Sequence, residues 1–403
     1  MNIKNSLYDP KVFSEILYEN MKRINAGVED LALYEFRYGL DNVIPKQGGW
    51  AAVALDSKGE IDQRINERDF YINIKLRPQV GDKIVLDETI ARLTVMLFVG
   101  LVTGAYPEKW LKDRFYFDVR GFYFLPRTHY FTDGVLAHFG GKPYQTFEQK
   151  QKQFEHYQGI GYRSFKAANA EVDQAFMDCL LKIIAIKGTP ILITLAGPTA
   201  AGKTEIVERL SGVFDQAGMK MTTIAMDDFL LDNDYREAKH IDALGKEAFH
   251  FEIFLGGLNN LLHGQRISIP KYISGISSHD PQGKLKPGFT PQEIEPADIV
   301  FIEGNFPFQI AEVSSLIGIK VVYLTDDPIR LKRKWKRDID YRKKYDPNYF
   351  RNRYFRTQFL RAHDCYRAQM AVCDILVDTT GAAIWATADV IRILKEGDSL
   401  IRK

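Results

Sequence analysis

Residues 195–210 read LAGPTAAGKTEIVERL, and this stretch decides the fold of the second half of the chain. Gly197, Gly202, Lys203 and Thr204 fit the spacing G-x-x-x-x-G-K-[ST] without deviation. The glycines let backbone N–H groups curl around phosphate oxygens, because no Cβ stands in the way. The lysine supplies a positive charge to the β- and γ-phosphates of a nucleotide, and the threonine hydroxyl can ligate Mg²⁺.

The residues on either side of this loop support the same interpretation. The stretch PILITLA, residues 190–196, is a short apolar run typical of a buried parallel strand. After the loop, apolar residues recur at helical spacing until Gly218 gives a stop signal. A phosphate-binding loop requires this order of strand, loop and helix, and a chance glycine-rich turn is the alternative. We predict that the nucleotide is contacted by Gly197, Pro198, Thr199, Ala200, Ala201, Gly202, Lys203, Thr204 and Glu205.

The composition is that of an ordinary globular protein, with 45% hydrophobic and 26% charged residues. A length of 403 residues predicts two domains. The formal net charge of +2 gives no argument for a nucleic-acid partner. Three cysteines without metal-type or disulfide spacing, and no leader pattern, favour the cytoplasm. The longest apolar stretch, residues 93–106, is too short to span a bilayer, so we expect a buried helix and no membrane partner.

Strand and helix patterns alternate from about residue 190 onward. The candidate strands are ILITLA, MTTIAM, ADIVFIEG, KVVYLT and DILVDTT. This alternation predicts an α/β fold, in which a parallel sheet with helices on both faces forms a P-loop NTPase or kinase-like core. We place this domain at residues 188–403, and a separate α+β domain without assigned chemistry at residues 1–187.

The first domain contains two stretches with β-rich, aromatic character, GWAAVALDSKGEI at residues 49–61 and DRFYFDVRGFYFLP at residues 113–126. The aromatic cluster from Phe115 to Phe131 suits either a packed core or a platform on which nucleic-acid bases stack. Aromatic side chains are usually buried, so we favour the packed core.

Three features beyond the loop are those that a kinase needs. Asp227 and Asp228 follow the strand TTIAM, where a carboxylate can accept a hydroxyl proton or hold a metal. Glu303 follows the strand ADIVFI and can hold Mg²⁺. For these acids, a turn or a helix cap is the structural alternative. We predict metal ligation by Thr204, Glu303 and Asp227, and we leave open which of Asp227 and Asp228 is the base.

The third feature is the basic stretch that begins with RLKRKWKRDIDYR at residue 330. A helix there would carry Arg330, Arg333, Arg337 and Arg342, whose guanidinium groups could clamp the transferring phosphoryl group. A solvated helix or a basic patch for RNA is the alternative. We predict catalytic roles for Asp227, Lys203, Arg337 and Arg342, and a nucleotide contact for Arg333.

Together these motifs resemble those of the uridine kinase and phosphoribulokinase family of P-loop kinases, over about residues 190–381. GPTAAGKT resembles the family loop, MDDF its catalytic segment, PADIVFIEG its Walker B-like strand and RLKRKWKRDIDYR its lid. The stretch EAFHFEIFLGGLNNLLHGQRISIPKY resembles the family's central helix and the strand after it. The resemblance implies ATP and Mg²⁺ as cofactors.

The chain departs from the family on the acceptor side. The family's Asp-His-Pro segment, whose aspartate holds ribose hydroxyls, is absent from HIDALGKEAFH, where Asp242 is the candidate substitute. Tyr272 is retained in YISGISSH, and His279 is displaced by two residues. Asp228, Tyr272, His279 and Asp242 are therefore the candidate substrate-binding residues, and pyrimidine recognition is in doubt.

The sequence thus predicts an ATP- and Mg²⁺-dependent kinase that phosphorylates a hydroxyl of a small metabolite. The acceptor is a nucleoside, a sugar, a sugar phosphate or a sugar acid. A nucleic-acid-modifying kinase and a non-catalytic nucleotide-binding regulator are the alternatives. Intact acids at positions 227 and 303 argue against the regulator. The sequence leaves a homo-oligomer open.

Overall fold

The computed structural model describes residues 7–45, 47–67, 70, 79–80, 83–84, 86–119, 121–148, 162–242, 245–337 and 365–401. The helices in these ranges are α1 Pro10–Ile24, α2 Leu33–Leu40, α3 Lys58–Asn66, α4 Glu88–Thr103, α5 Glu108–Arg114, α6 Asp133–His138, α7 Tyr162–Lys187, α8 Lys203–Gln216, α9 Asn233–Ala238, α10 Phe251–Leu262, α11 Ala311–Ser314, α12 Asp327–Lys336, α13 Arg367–Met370 and α14 Ala388–Ile401. The strands are β1 Gln79–Val80, β2 Lys83–Ile84, β3 Phe115–Asp118, β4 Tyr123–Pro126, β5 Gln145–Thr146, β6 Ile191–Ala196, β7 Met221–Ala225, β8 Ile267–Ile269, β9 Tyr272–Ile273, β10 Ile276–Ser277, β11 Gln292–Ile294, β12 Ile299–Gly304, β13 Ile319–Leu324, β14 Ile375–Asp378 and β15 Ala383–Ala386.

The chain forms two compact units that interleave along the sequence. The first unit comprises Met1–His129, Glu148–Asn169 and Asp326–His363. The second comprises Tyr130–Phe147, Ala170–Thr325 and Asp364–Lys403. Strand β5 and most of α7 precede residue 188 and yet pack within the second unit. The domain boundary between residues 187 and 188 stays a prediction.

A seven-stranded sheet forms the centre of the second unit, in the order β5-β15-β14-β13-β6-β12-β7. The five strands from β14 to β7 run parallel, and they are the five predicted from the sequence. Strands β15 and β5 extend one edge in the antiparallel direction. The predicted fold class, a mostly parallel sheet of the P-loop kinase type with helices, is confirmed.

Strand β6 is apolar along its whole length because both faces of the sheet are covered. Ile193 and Leu195 pack in a core with residues of α7, α8 and α14. Leu192 points to the other face, into a core with Phe254 and Leu258 of α10. This double burial explains the continuous apolar run in the sequence.

The first unit is mainly helical, with small two-stranded sheets. The predicted β-structure at residues 113–126 is confirmed, since β3 and β4 pair as an antiparallel hairpin. The β-structure expected at residues 49–61 is wrong. A short 3₁₀ turn spans Trp50–Ala52, and α3 follows with a capping box in which the Ser57 side chain and the Glu60 backbone are paired. That capping box favours a helix over a strand.

The apolar stretch at residues 93–106 lies largely in α4, which is buried. In the part of the chain that the structure describes, no helix is long and apolar enough to cross a membrane.

Candidate nucleotide-binding and phosphoryl-transfer site

The phosphate-binding loop joins the end of β6 to the start of α8. Gly197 has φ +152°, and a Cβ at this position would lie 2.2 Å from the carbonyl oxygen of Tyr323 on β13. Gly202 has φ +108° and ends the loop just before α8. Gly202 is required because of its backbone conformation. Gly197 is required for the same reason and also because the Tyr323 carbonyl approaches it closely.

Lys203 is buried at the first position of α8. Its Nζ donates hydrogen bonds to the carbonyl oxygens of Gly197 at 2.8 Å and Pro198 at 3.2 Å. The ammonium group is thus held across the loop by the loop's own carbonyls. An anion at this helix N-terminus would meet both the ammonium charge and the helix dipole.

Glu303 faces the loop from the neighbouring strand. Strand β12 pairs with β6 so that Glu303 is level with Leu195, and its Oε1 accepts a hydrogen bond of 2.8 Å from the hydroxyl of Thr204. These are two oxygen ligands of the kind that Mg²⁺ prefers, and Mg²⁺ usually needs only one or two protein carboxylates when phosphates supply other ligands. Within the described residues, no cluster of three or more His, Cys, Asp or Glu could hold a metal. The pair therefore fits a magnesium ion that is bound together with nucleotide phosphates.

Asp227 and Asp228 lie in a 3₁₀ turn at the end of β7, on the other side of β12. Ala225 of β7 is in register with Glu303, which places the turn beside Glu303. Asp227 is exposed, whereas Asp228 is half-buried and its Oδ1 accepts a bond of 3.4 Å from the backbone N–H of Tyr272. Burial raises the pKa of the Asp228 carboxyl, and the N–H of Tyr272 opposes this effect.

Sequence reasoning missed a polar network beside Tyr272. The buried guanidinium of Arg236 donates to the hydroxyl of Tyr272 at 2.8 Å and to the Oδ1 of Asn233 at 2.5 Å. Lys286 forms a salt bridge of 2.6 Å with Asp232. Both residues lie in polar stretches without a spacing signal. A cavity of about 490 Å³ adjoins the network and is lined by Asp232, Asn233, Asp234, Tyr235, Ser274, Gly275, Ile276 and Lys286.

His279 is buried, and its Nδ1 lies 2.8 Å from the hydroxyl of Ser278. Its ring centroid is 5.9 Å from that of His250. Burial lowers the pKa of both rings, that of His250 to about 4. Asp242, by contrast, is exposed in the segment after α9, where its carbonyl accepts the N–H of Gly245.

The basic stretch belongs to the first unit. Arg330 is fully buried on α12 and forms a salt bridge of 2.6 Å with Asp327. Arg333 and Arg337 are partly buried, on α12 and at its C-terminal cap. Arg342 lies outside the described residues.

The fold and the loop define a P-loop kinase, and the chain's sequence matches a known family in the same region. Residues 192–380 match the Phosphoribulokinase / Uridine kinase family. The match confirms the resemblance of the C-terminal half to this family. It also confirms the predicted class of enzyme, an ATP-dependent kinase.

Two curated relatives illustrate the match. The uridine kinase of Leuconostoc citreum (strain KM20) is 27% identical over 156 residues, which cover 38% of this chain and 70% of the relative. The phosphoribulokinase of Synechocystis sp. is 31% identical over 150 residues, which cover 37% of this chain and 42% of the relative. A solved D-glycerate 3-kinase from Cryptococcus neoformans var. grubii is 12% identical, with a TM-score of 0.40, and the alignment covers 54% of this chain and 99% of that chain.

Proposed function

We propose that the protein transfers the γ-phosphoryl group of ATP to a hydroxyl group of a small metabolite, with Mg²⁺ as the metal. The observation that carries the proposal is the hydrogen bond of 2.8 Å between Thr204 and Glu303 at the mouth of the loop. It pairs the two residue types that hold a nucleotide-bound magnesium, beside a strand that ends in two carboxylates.

On the donor side, the loop N–H groups and Lys203 bind the β- and γ-phosphates. Magnesium, when bound, neutralises charge that develops on the phosphate oxygens. Thr204 and Glu303 orient the metal, and Asp227 is the third candidate ligand. The residues from Gly197 to Glu205 supply the nucleotide contacts, and catalysis consists mainly of positioning and electrostatic stabilisation.

On the acceptor side, we assign the base to Asp227. Its carboxylate is exposed and takes the proton of the acceptor hydroxyl, while the hydroxyl oxygen forms a bond to the γ-phosphorus and ADP leaves. Asp228 is the weaker candidate, because one of its oxygens already accepts the N–H of Tyr272. We propose that Asp228 instead fixes the hairpin of β9 and β10 against the turn that carries Asp227.

The acceptor pocket is proposed to lie beside this hairpin, with Tyr272, His279 and Asp242 as its candidate contacts. Because the ribose-binding Asp-His-Pro segment is absent, we expect uridine and cytidine to be poor acceptors. The cavity beside Tyr272 offers carboxylates, an amide and an ammonium group, which suit a polyhydroxylated acceptor.

A screen that combines ATP consumption with thermal shift tests the proposal. Nucleosides, sugars, sugar phosphates and sugar acids are each added to the full chain with ATP and Mg²⁺, and Asp227→Asn is the matched control. We expect one class to give turnover that the control lacks. If uridine or cytidine is phosphorylated efficiently, the acceptor assignment is wrong. If no class gives turnover although ATP binds, the kinase proposal fails and the regulator is favoured.

A further inference from the structure

A buried carboxylate on α7, outside the family match, contacts the strand and the helix that flank the phosphate-binding loop. Asp173 is 4% exposed and precedes the matched region, which begins at residue 192. Its Oδ1 accepts a hydrogen bond of 2.5 Å from the hydroxyl of Tyr323, and its Oδ2 accepts one of 2.8 Å from Arg209. One carboxylate thus joins strand β13 to helix α8.

Both partners of Asp173 belong to elements that shape the loop. The carbonyl oxygen of Tyr323 is the atom that closes the space next to Gly197, at 2.2 Å from an ideal Cβ. Arg209 lies on α8, whose first residue is Lys203, and it also approaches Glu205 at 3.5 Å. A shift of either element would change the distance between the loop and the helix N-terminus that faces the phosphates.

We propose that Asp173 is a positioning residue for the phosphate-binding loop. It acts through Tyr323 and Arg209, and it touches neither ATP nor the acceptor. The charged hydrogen bond to Arg209 is stronger than a neutral one, and its carboxylate end is buried whereas the arginine side chain is 28% exposed. These two hydrogen bonds of Asp173, called the clamp below, hold β13 and α8 at a fixed separation. The loop is therefore formed before the nucleotide arrives. Preorganisation of this kind improves affinity, because less ordering is required on binding.

Substitutions of the clamp separate positioning from simple stabilisation. Asp173→Asn retains an acceptor for the Tyr323 hydroxyl but loses the charge that holds Arg209. Tyr323→Phe removes one hydroxyl and leaves the backbone carbonyl beside Gly197. We expect each change to weaken MgATP binding about tenfold, which corresponds to about 1.4 kcal/mol.

The matched control lies on the same helix. Lys182, nine residues after Asp173 on α7, forms a salt bridge with Asp398 of α14. Asp398→Asn therefore removes a carboxylate contact of α7 and should lower the melting temperature without changing the affinity for MgATP. A merely structural role of Asp173 would give the same pattern as this control.

The test is isothermal titration of MgATP into the full-length wild type and each variant, together with the melting temperature of each. Weakened binding by Asp173→Asn and Tyr323→Phe, with unchanged binding by Asp398→Asn, supports the inference. Wild-type affinity in the clamp variants, or equal loss in the control, overturns it. If Asp173→Asn does not fold, Tyr323→Phe alone decides. The inference rests on ATP binding by the loop, and a wild type that binds no MgATP would refute the proposed function itself.

Discussion

The phosphate side and the proposed acceptor side of the site differ in how they are built. The phosphate side is a continuous segment, residues 197–205, whose backbone fixes its shape. The acceptor side is assembled from residues spread between Asp227 and Lys286, held together by side-chain contacts such as Arg236 to Tyr272. A backbone-built site tolerates few substitutions, whereas a side-chain-built site can change its ligand with few substitutions. The chain retains the loop spacing of the family that it resembles and departs from that family's acceptor motifs.

The largest effect is expected on the phosphate side. Lys203→Ala removes the ammonium group that lies across the loop, and we expect turnover of ATP to fall by at least about 10²-fold. The measurement is ATP consumption with the best acceptor, with the melting temperature as a check on folding. Exposed Lys220 provides the control, since Lys220→Ala should leave turnover unchanged. Wild-type turnover in Lys203→Ala would contradict the assignment of this loop as the phosphate-binding loop.

The second prediction separates the two sides. Asp227→Asn keeps the size of the side chain and removes the base, so phosphoryl transfer should fall by about 10²-fold or more. The affinity for MgATP, measured by titration, should stay within about twofold of wild type if Asp227 acts only as the base, and it should fall further if Asp227 is also a metal ligand. Asp228→Asn is the comparison variant. If it is the inactive one, the roles of the two acids are reversed.

The next effect in size concerns Arg337, which the sequence predicts to be an arginine of the lid. A contact made mainly in the transition state lowers kcat more than it raises the KM for ATP. We therefore expect Arg337→Ala to lower kcat by about tenfold, within the range for a lost charged hydrogen bond. Arg337→Lys should recover part of this loss, since an ammonium group lacks the planar fork of a guanidinium. Unchanged kcat with weakened, less salt-dependent RNA binding would instead favour a nucleic-acid platform.

The last prediction concerns the stability of the fold rather than activity, and it rests on His250. Its pKa is lowered from 6.5 to about 4, first by burial and then by His279, so the folded state favours the neutral ring. The unfolded chain binds this proton more tightly than the folded one. The free energy of unfolding is therefore highest above about pH 6.5 and falls by up to about 3 kcal/mol as the pH drops to about 4 and below. Urea unfolding between pH 7 and pH 4 should therefore show a steeper loss for wild type than for His250→Gln. The control is His263→Gln, at an exposed histidine. Parallel curves for wild type and His250→Gln would contradict the assignment.

The sequence predicted the five parallel strands, four of them because β6, β12, β13 and β14 are largely apolar runs that are almost wholly buried. The fifth, strand β7, lies at the sheet edge and is only partly buried. The sequence also predicted that Thr204 and Glu303 share a metal site, because residues that follow neighbouring parallel strands meet at one edge of the sheet. The hydrogen bond between them is compatible with that prediction, which stays a prediction. Strands β5 and β15 were missed. Strand β5 has only two residues, which are exposed at the sheet edge, and β15 is a four-residue strand between β5 and β14. The helix after Ser57 was assigned to β-structure, although the spacing from Ser57 to Glu60 carried the signal of a capping box.

The parts of the site that sequence could not reveal depend on long-range contacts. Asp173 is one acidic residue in a polar helix, and nothing in its spacing indicates that it meets Tyr323, 150 residues away. Arg236 is similar, because its burial depends on the hairpin that carries Tyr272. Charged residues are exposed by default, so burial of such a group emerges only when the fold is known.

Tracing the γ-phosphate of ATP tests the central claim most directly. The 403-residue protein is incubated with ATP labelled in the γ-phosphate, Mg²⁺ and a metabolite extract. The labelled products are then separated by size and charge. We predict that the wild type transfers the label to a small molecule as a phosphate ester. The Asp227→Asn variant should not transfer it. Label released only as inorganic phosphate, or attached to RNA, would contradict the account.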